Sequence, residues 1–152
     1  MLPNTDSPHS RKVSIPCSPY VKYEENAVSC DLKQEILQLI KTSESSFVSV
    51  GDEPSSREVM YFGKHSYRYT GHTHEAKEVP DALNKVLDSL KSILPEDVKS
   101  EFNSCLITRY RTGSNHIPLH RDNEPVIDPE SAILTVSFGA QRSMSFESNN
   151  KS

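Results

Sequence analysis

Residues 105–146 read CLITRYRTGSNHIPLHRDNEPVIDPESAILTVSFGAQRSMSF, and the fold turns on how they are parsed. Ser104–Tyr110 alternates well enough for a strand, and Gly113 turns the chain. His116, Pro118, His120 and Asp122 then fall at alternate positions. In an extended segment all of them project to one side. His116 and His120 also have the spacing of a metal pair on a helix, but Pro118 between them speaks against a helix. Ile133–Phe138 is a predicted strand, Gly139-Ala140 a turn, and Ser143–Phe146 a further strand.

The chemistry in this stretch is the His-x-Asp pair, His120 and Asp122. On an extended backbone an imidazole and a carboxylate so spaced face the same way and can occupy adjacent corners of one metal face. A second histidine from a distant strand would be the third ligand, leaving open positions for a bidentate cosubstrate and dioxygen, as in non-haem iron oxygenases. Alone the pair is a weak signal, since a surface histidine beside a turn aspartate has the same spelling.

Working outward, 152 residues make at most one domain. Residues 1–25, with Pro3, Pro8, Pro16 and Pro19 among Ser and Thr, read as a disordered or extended tail. Ser10-Arg11-Lys12 is a solvated basic spot. Residues 26–152 form the domain, with its catalytic core from about residue 58. A net charge of -4 argues against a strongly electrostatic nucleic-acid binder, while leaving room for a local basic patch. Cys17, Cys30 and Cys105 lack CxxC spacing and read as reduced thiols of an intracellular protein, with nucleus and cytoplasm both open. No apolar run approaches the ~18 residues of a membrane span, so no membrane partner is expected. The oligomeric state is not legible.

A first helix is predicted from Asp31, with Asp31 and Gln34 at capping-box spacing and Leu32, Ile36, Leu39 and Ile40 as its apolar stripe. Phe47, Val48 and Val50 suggest a short strand, and 51–57 a loop. Residues 58–71, EVMYFGKHSYRYTG, are dense in aromatics, with Gly63 and Gly71 as turns. Tyr67 and Tyr69 share one face of an extended segment, with Arg68 on the other. Rings beside Arg and Lys can stack bases; a hairpin with a half-buried aromatic face accounts for them equally. His72 and His74 read as solvated loop histidines, with a metal site as the other reading. A second helix follows, with Pro80 and Asp81 in its first turn. Leu83, Val86, Leu87, Leu90 and Leu94 form its stripe, and Pro95 is its stop.

About Tyr61 to Phe146 resembles the AlkB-like family of Fe(II) and 2-oxoglutarate dioxygenases. Residues 105–110 (CLITRY) look like the family's CLINRY strand, 120–124 (HRDNE) like its HRDDE segment, and 133–139 (ILTVSFG) like its IASVSFG strand. Upstream, 67–71 (YRYTG) is similar to its YxYSG element. The resemblance implies an α+β fold, a double-stranded β-helix (jelly roll) with supporting helices, incomplete at the C-terminus. It implies iron ligation by His120 and Asp122, and contact of Tyr110 with 2-oxoglutarate. Thr108 stands where the family has an Asn for the same cosubstrate; a hydroxyl cannot make both amide bonds. Tyr67, Tyr69, Gly71, Asn123 and Glu124 match residues around the substrate base, with Asn123 an amide in place of an acid. The implied activity is hydroxylation of N-alkyl groups on nucleobases of DNA or RNA. The product loses formaldehyde, and 2-oxoglutarate becomes succinate and carbon dioxide. The partner would be a single-stranded nucleic acid or a flipped base.

Oxidation of a protein side chain by the same chemistry is the enzyme alternative, and a non-catalytic binding domain the other. Such domains also occur in plant-virus replication polyproteins. All six histidines precede Asp122, whereas the family's third ligand and its Arg clamp lie downstream. The chain is therefore expected to be a fragment, inactive alone. His120 and Asp122 should converge on one point with Tyr110 nearby, and Tyr69, with Tyr67, should be partly exposed at that mouth.

Overall fold

The computed structural model describes residues 21–53, 55–69, 71–95, 98, 102–122, 124–128 and 131–147. Asn123 and residues 1–20 of the expected tail lie outside that set.

Helix α1 spans Cys30–Thr42. Its cap is Ser29, whose extended backbone lets Oγ accept from the Leu32 amide at 3.3 Å. The capping box expected at Asp31 is thus corrected. Asp31 sits inside the first turn, where its charge faces the positive end of the helix, and Gln34 is too far along to reach back. Helix α2 spans Asp81–Leu90 and stops short of Leu94. Ile93 and Leu94 amides both close onto the Leu90 carbonyl, at 3.0 and 3.2 Å, because Pro95 holds the residue before it out of helical geometry. The apolar stripes meet: Val28, Ile36, Val86 and Leu90 form one buried cluster, and Leu134, Val136 and Phe138 pack against it.

Strands β1 (Val48–Val50), β2 (Arg57–Gly63) and β5 (Ser104–Arg109) form an antiparallel sheet in the order β1-β2-β5. Being central, β2 is buried along almost its whole length, with Val59 at 0% and Met60 at 1% exposure. Arg57, expected in a loop, is the first residue of β2 and is buried. A separate hairpin joins β3 (Tyr67–Tyr69) to β4 (His72–His74). The expected hairpin over 58–71 is therefore divided. Gly63 does not turn the chain; it pairs with Ser104, and a Cβ there would collide with the Tyr61 hydroxyl. Gly71, at φ +81, makes the turn. His72 and His74 are strand residues, and His74 is buried behind Tyr69. Both thus lie in a strand and not a loop; His72 is exposed as expected, while the solvated reading of His74 is corrected, since its ring packs against Tyr69.

Residues 132–138 alternate as expected of a strand, with Leu134, Val136 and Phe138 half-buried and Ile133, Thr135 and Ser137 exposed. Yet among the described residues no ladder pairs them, or 143–146, with a neighbour. The expected strands at Ile133–Phe138 and Ser143–Phe146 are not formed. Parity is local and written in the sequence; a ladder needs a second strand. Among the described residues the architecture is mixed α+β, with antiparallel sheets and two α-helices. No helix among the described residues is long and apolar enough to cross a membrane.

Candidate functional site

Register divides the chemistry of the sheet between its faces. Val59 pairs with Thr108 and Tyr61 with Leu106. One step past the ladder, Tyr110 falls opposite Arg57. Residues opposite one another share a face, so Arg57, Val59, Leu106, Thr108 and Tyr110 look the same way. Glu58, Arg109 and Arg111 look the other way. There Arg109 bonds Glu44 at 2.6 Å and Glu58 at 2.7 Å, Arg111 bonds the same two carboxylates, and Arg109 lies over the Phe47 ring at 3.9 Å. Hydrogen bonds from Arg109 and Arg111 hold the Glu44 carboxyl down to about 2. Burial pushes Glu58 up, but the same guanidiniums prevail and lower it. This face is a structural clamp between β2, β5 and the turn at Glu44–Ser46.

The hairpin covers the first face. Tyr69 packs with Val50 and Val59, and Tyr67 and Leu106 join that cluster. The Tyr67 and Tyr69 rings stack at 5.8 Å and 17°, and Tyr61 follows Tyr67 at 5.3 Å. The shared face of Tyr67 and Tyr69 is as the alternation predicts. Their use is different. Tyr69 is only 9% exposed, its ring against Tyr67 and its hydroxyl accepting from Arg57 Nη2 at 2.5 Å. The expectation that Tyr69 is an open stacking platform is corrected: the column of rings buries it as a wall. Tyr67 donates to Glu124 Oε1 at 3.2 Å. Burial first, and Glu124 beside it, push the Tyr67 phenol well above its ordinary value, so it stays a donor. Gly71 lies at the exposed hairpin turn, with nothing within 4 Å of the position its Cβ would take.

A cleft of about 250 Å³ opens beside this wall, lined by Arg57, Tyr69, Pro118, His120, Arg121 and Glu124 among others. His120 and Asp122 converge at it: Nε2 stands 3.1 Å from Oδ1. His120 Nδ1 lies 2.8 Å from the Pro118 carbonyl, which can only accept, so Nδ1 carries the proton. In the neutral ring Nε2 then turns a lone pair toward a carboxylate oxygen. A proton on Nε2 makes this contact an ion pair, and a metal ion in place of that proton could take both donors. Donors bound at about 2.1 Å and at right angles around one metal stand about 3 Å apart. His116, expected on the same side, is exposed and turned back to the Ser114 carbonyl at 3.0 Å. The segment is irregular, since both Pro118 and His120, and then Arg121, reach the cleft. Among the described residues no group of three His, Cys, Asp or Glu could hold a metal.

The loop from β5 to His120 is held by residues that the sequence reading passed over. Asn115 is buried; its Oδ1 accepts from the Thr112 amide at 2.9 Å, and its Nδ2 donates to Glu53 at 3.2 Å. Arg142 donates to the carbonyls of Thr112, at 3.1 Å, and Asn115, and lies over the Tyr110 ring at 5.2 Å. Burial raises the Tyr110 phenol, and Arg57, Tyr69 and Arg142 all act on it. Tyr110 is thus a neighbour of the Arg57–Tyr69 pair. Thr108 is half-buried on the same face. Arg57 is the main residue missed; the pattern Arg57-x-Val59-x-Tyr61, which puts it in phase with the buried face, was the available signal.

The profile of the 2OG-Fe(II) oxygenase superfamily matches residues 22–152. The chain belongs to that superfamily. It is an AlkB-like member. It is 36% identical over 81 residues to DNA oxidative demethylase ALKBH2 of Homo sapiens, covering 53% of this chain and 30% of that protein. It is 35% identical over 89 residues to the alpha-ketoglutarate-dependent dioxygenase alkB homolog 3 of Mus musculus, covering 59% and 30%. It is 32% identical over 109 residues to the RNA replication protein of Papaya mosaic potexvirus, covering 67% and 7%. The chain thus spans 30% or less of the length of these relatives. No solved structure matches it. Membership implies Fe(II) and 2-oxoglutarate. The converged lone pairs of His120 and Asp122 fit such a metal in their donor chemistry and spacing, as part of a ligand set.

Proposed function

We propose that this AlkB-like chain carries the metal- and cosubstrate-binding part of a dioxygenase that removes N-alkyl groups from nucleobases. The observation that carries the reading is the convergence of His120 Nε2 and Asp122 Oδ1, 3.1 Å apart, at a cleft walled by Tyr69. Iron with 2-oxoglutarate supplies dioxygen activation when bound. The chain's own residues do the rest. The Pro118 carbonyl fixes the His120 tautomer that leaves Nε2 free to bind metal. Tyr110 and Thr108 face the cosubstrate side. The stacked Tyr67 and Tyr69 rings, with Tyr61 tilted against Tyr67, form a stiff wall, and Tyr67 holds Glu124 in place. Glu124 Oε2 is buried with no hydrogen-bond partner among the described residues, so it can accept from an exocyclic amine of a base. Asn123 belongs to the same proposed base site.

His120 and Asp122 supply two donors, and a facial set needs a third. In this reading the third donor lies outside the described residues, and those residues alone bind iron weakly. The test is succinate release with a methylated oligonucleotide, Fe(II) and 2-oxoglutarate, using the chain with and without its downstream sequence. Turnover in the longer form that is lost in His120→Ala supports the reading. Oligonucleotide binding without turnover in the longer form overturns it in favour of a binding domain. Succinate release driven by a peptide in place of the oligonucleotide favours protein oxidation.

A further inference from the structure

We propose that Arg57 and Glu124 together read one edge of an adenine, Arg57 Nε donating to the ring nitrogen N7 while Glu124 Oε2 accepts from the N6 amine. The assignment rests on the nucleobase reading and deepens it. It names the base, and it names a residue outside the sequence motifs that selects it.

Arg57 is 6% exposed. Its Nη1 and Nη2 donate to the Ser55 carbonyl at 3.2 Å and the Tyr69 hydroxyl at 2.5 Å. Its Nε is buried without a hydrogen-bond partner among the described residues, and so is Glu124 Oε2. Both side chains line the cleft that also holds His120. Two stacked rings hold them on one wall. Tyr69 accepts from Arg57, Tyr67 donates to Glu124 Oε1 at 3.2 Å, and the rings lie 5.8 Å apart at 17°. Yet among the described residues Arg57 and Glu124 do not pair with each other, whereas on the opposite face Arg109 and Arg111 close directly onto Glu44 and Glu58. The cleft thus keeps a buried donor and a buried acceptor, each with its hydrogen bond unmade. Leaving both unmade costs free energy, and a ligand that offers an acceptor beside a donor relieves it.

This pairing of opposite senses chooses the ligand. A carboxylate or phosphate would satisfy Arg57 but meet the Glu124 carboxylate with a like charge. A cleft of about 250 Å³ admits a single base. On the edge away from base pairing, adenine sets an acceptor, N7, next to a donor, the N6 amine. Guanine sets two acceptors there, cytosine only a donor, and thymine only an acceptor. Cytosine has a second acceptor in O2, but it lies across N3. Reading both would straddle N3, the ring nitrogen that an alkyl group occupies on the pairing edge. Adenine is read from the side, which leaves an alkyl group on N1 free to face His120 and Asp122.

The experiment measures, by fluorescence anisotropy, binding of the full chain to single-stranded oligonucleotides that differ at one base. The bases are 1-methyladenine, 1-methyl-7-deazaadenine, in which a C–H group replaces N7, and 3-methylcytosine. Wild type should bind the first strand best. The 7-deaza strand should bind roughly tenfold or more weakly, the usual loss when a hydrogen bond to a charged donor is left unmade. Arg57→Met should lose the same factor on the first strand and no longer distinguish the first two. In wild type the Arg57 Nε–H resonance should shift with the first strand and not with the 7-deaza strand, which keeps the test open if Arg57→Met does not fold. Equal wild-type binding of the first two strands, a preference that survives Arg57→Met, or a resonance that responds alike to both overturns the Arg57 assignment alone. 3-Methylcytosine bound as tightly as 1-methyladenine overturns the choice of adenine. A wild type that binds no methylated strand better than its unmodified counterpart overturns the nucleobase reading, and this assignment with it.

Discussion

At the scale of single residues, burial sets the chemistry more than identity does. Cys30 and Cys105 have the same side chain, but Cys30 is exposed, while burial pushes the Cys105 thiol up to about 11. The thiolate is the reactive form. A thiol reagent at mildly alkaline pH should therefore modify Cys30 readily and Cys105 only after denaturation, read by peptide mass mapping. Equal rates at the two would contradict the burial. His74 makes a pH argument. Burial first, then His72 and Lys77, lower its pKa, and its Nε2 has no partner among the described residues. The unfolded chain then binds more protons than the folded one across the interval below its ordinary value. Its contribution to stability is full above about pH 6.5 and is lost as pH falls through the folded value. Melting temperature should drop between about pH 7 and pH 5, and His74→Leu should flatten that slope. An unchanged slope in the variant would assign the acid sensitivity to other groups.

At the scale of elements, the helices and the irregular C-terminal segment share one core. Leu90 is 2% exposed and joins Ile36 of α1 to the cluster on which Leu134, Val136 and Phe138 rest. Leu90→Ala should cost about 2–5 kcal/mol, measured by urea unfolding. It should also loosen 132–138, which is held by side chains and not by a ladder. A loss well under that range would mean that α2 is not the support of this segment. The helices were legible because an apolar stripe at helical spacing has few other uses, and β5 because its alternation is regular. Ser29 was not, since the sequence offers several polar residues as caps and only backbone geometry picks among them. The hairpin at 67–74 was misplaced for a related reason. Gly63 and Gly71 look alike in sequence, but only Gly71 has a left-handed backbone, while Gly63 makes room for a tyrosine.

At the scale of the whole molecule, ordering should be uneven. Ile133, Met144 and Phe146 are exposed at 60%, 64% and 54%, and the segments carrying them lack a strand neighbour among the described residues. Amides of 132–138 and 143–146 should exchange with solvent far faster than those of β2 and β5, measured by hydrogen-exchange mass spectrometry. Uniform protection across both would show that a ladder forms there in solution. The sequence by itself determined the helices, strand β5 and the His120–Asp122 pair, and the order of motifs that marks an AlkB-like member. All of these depend on spacing along the chain, which a periodic backbone converts directly into direction. Only the tertiary structure decided that Tyr69 is a wall and not a platform, that His74 turns inward, and that Arg57 stands across from Tyr110. Those facts depend on which strand lies beside which, and in what register. The register that brings residues 57 and 110 to the same end of the sheet is set by packing over the whole sheet, and no local pattern in either segment encodes it.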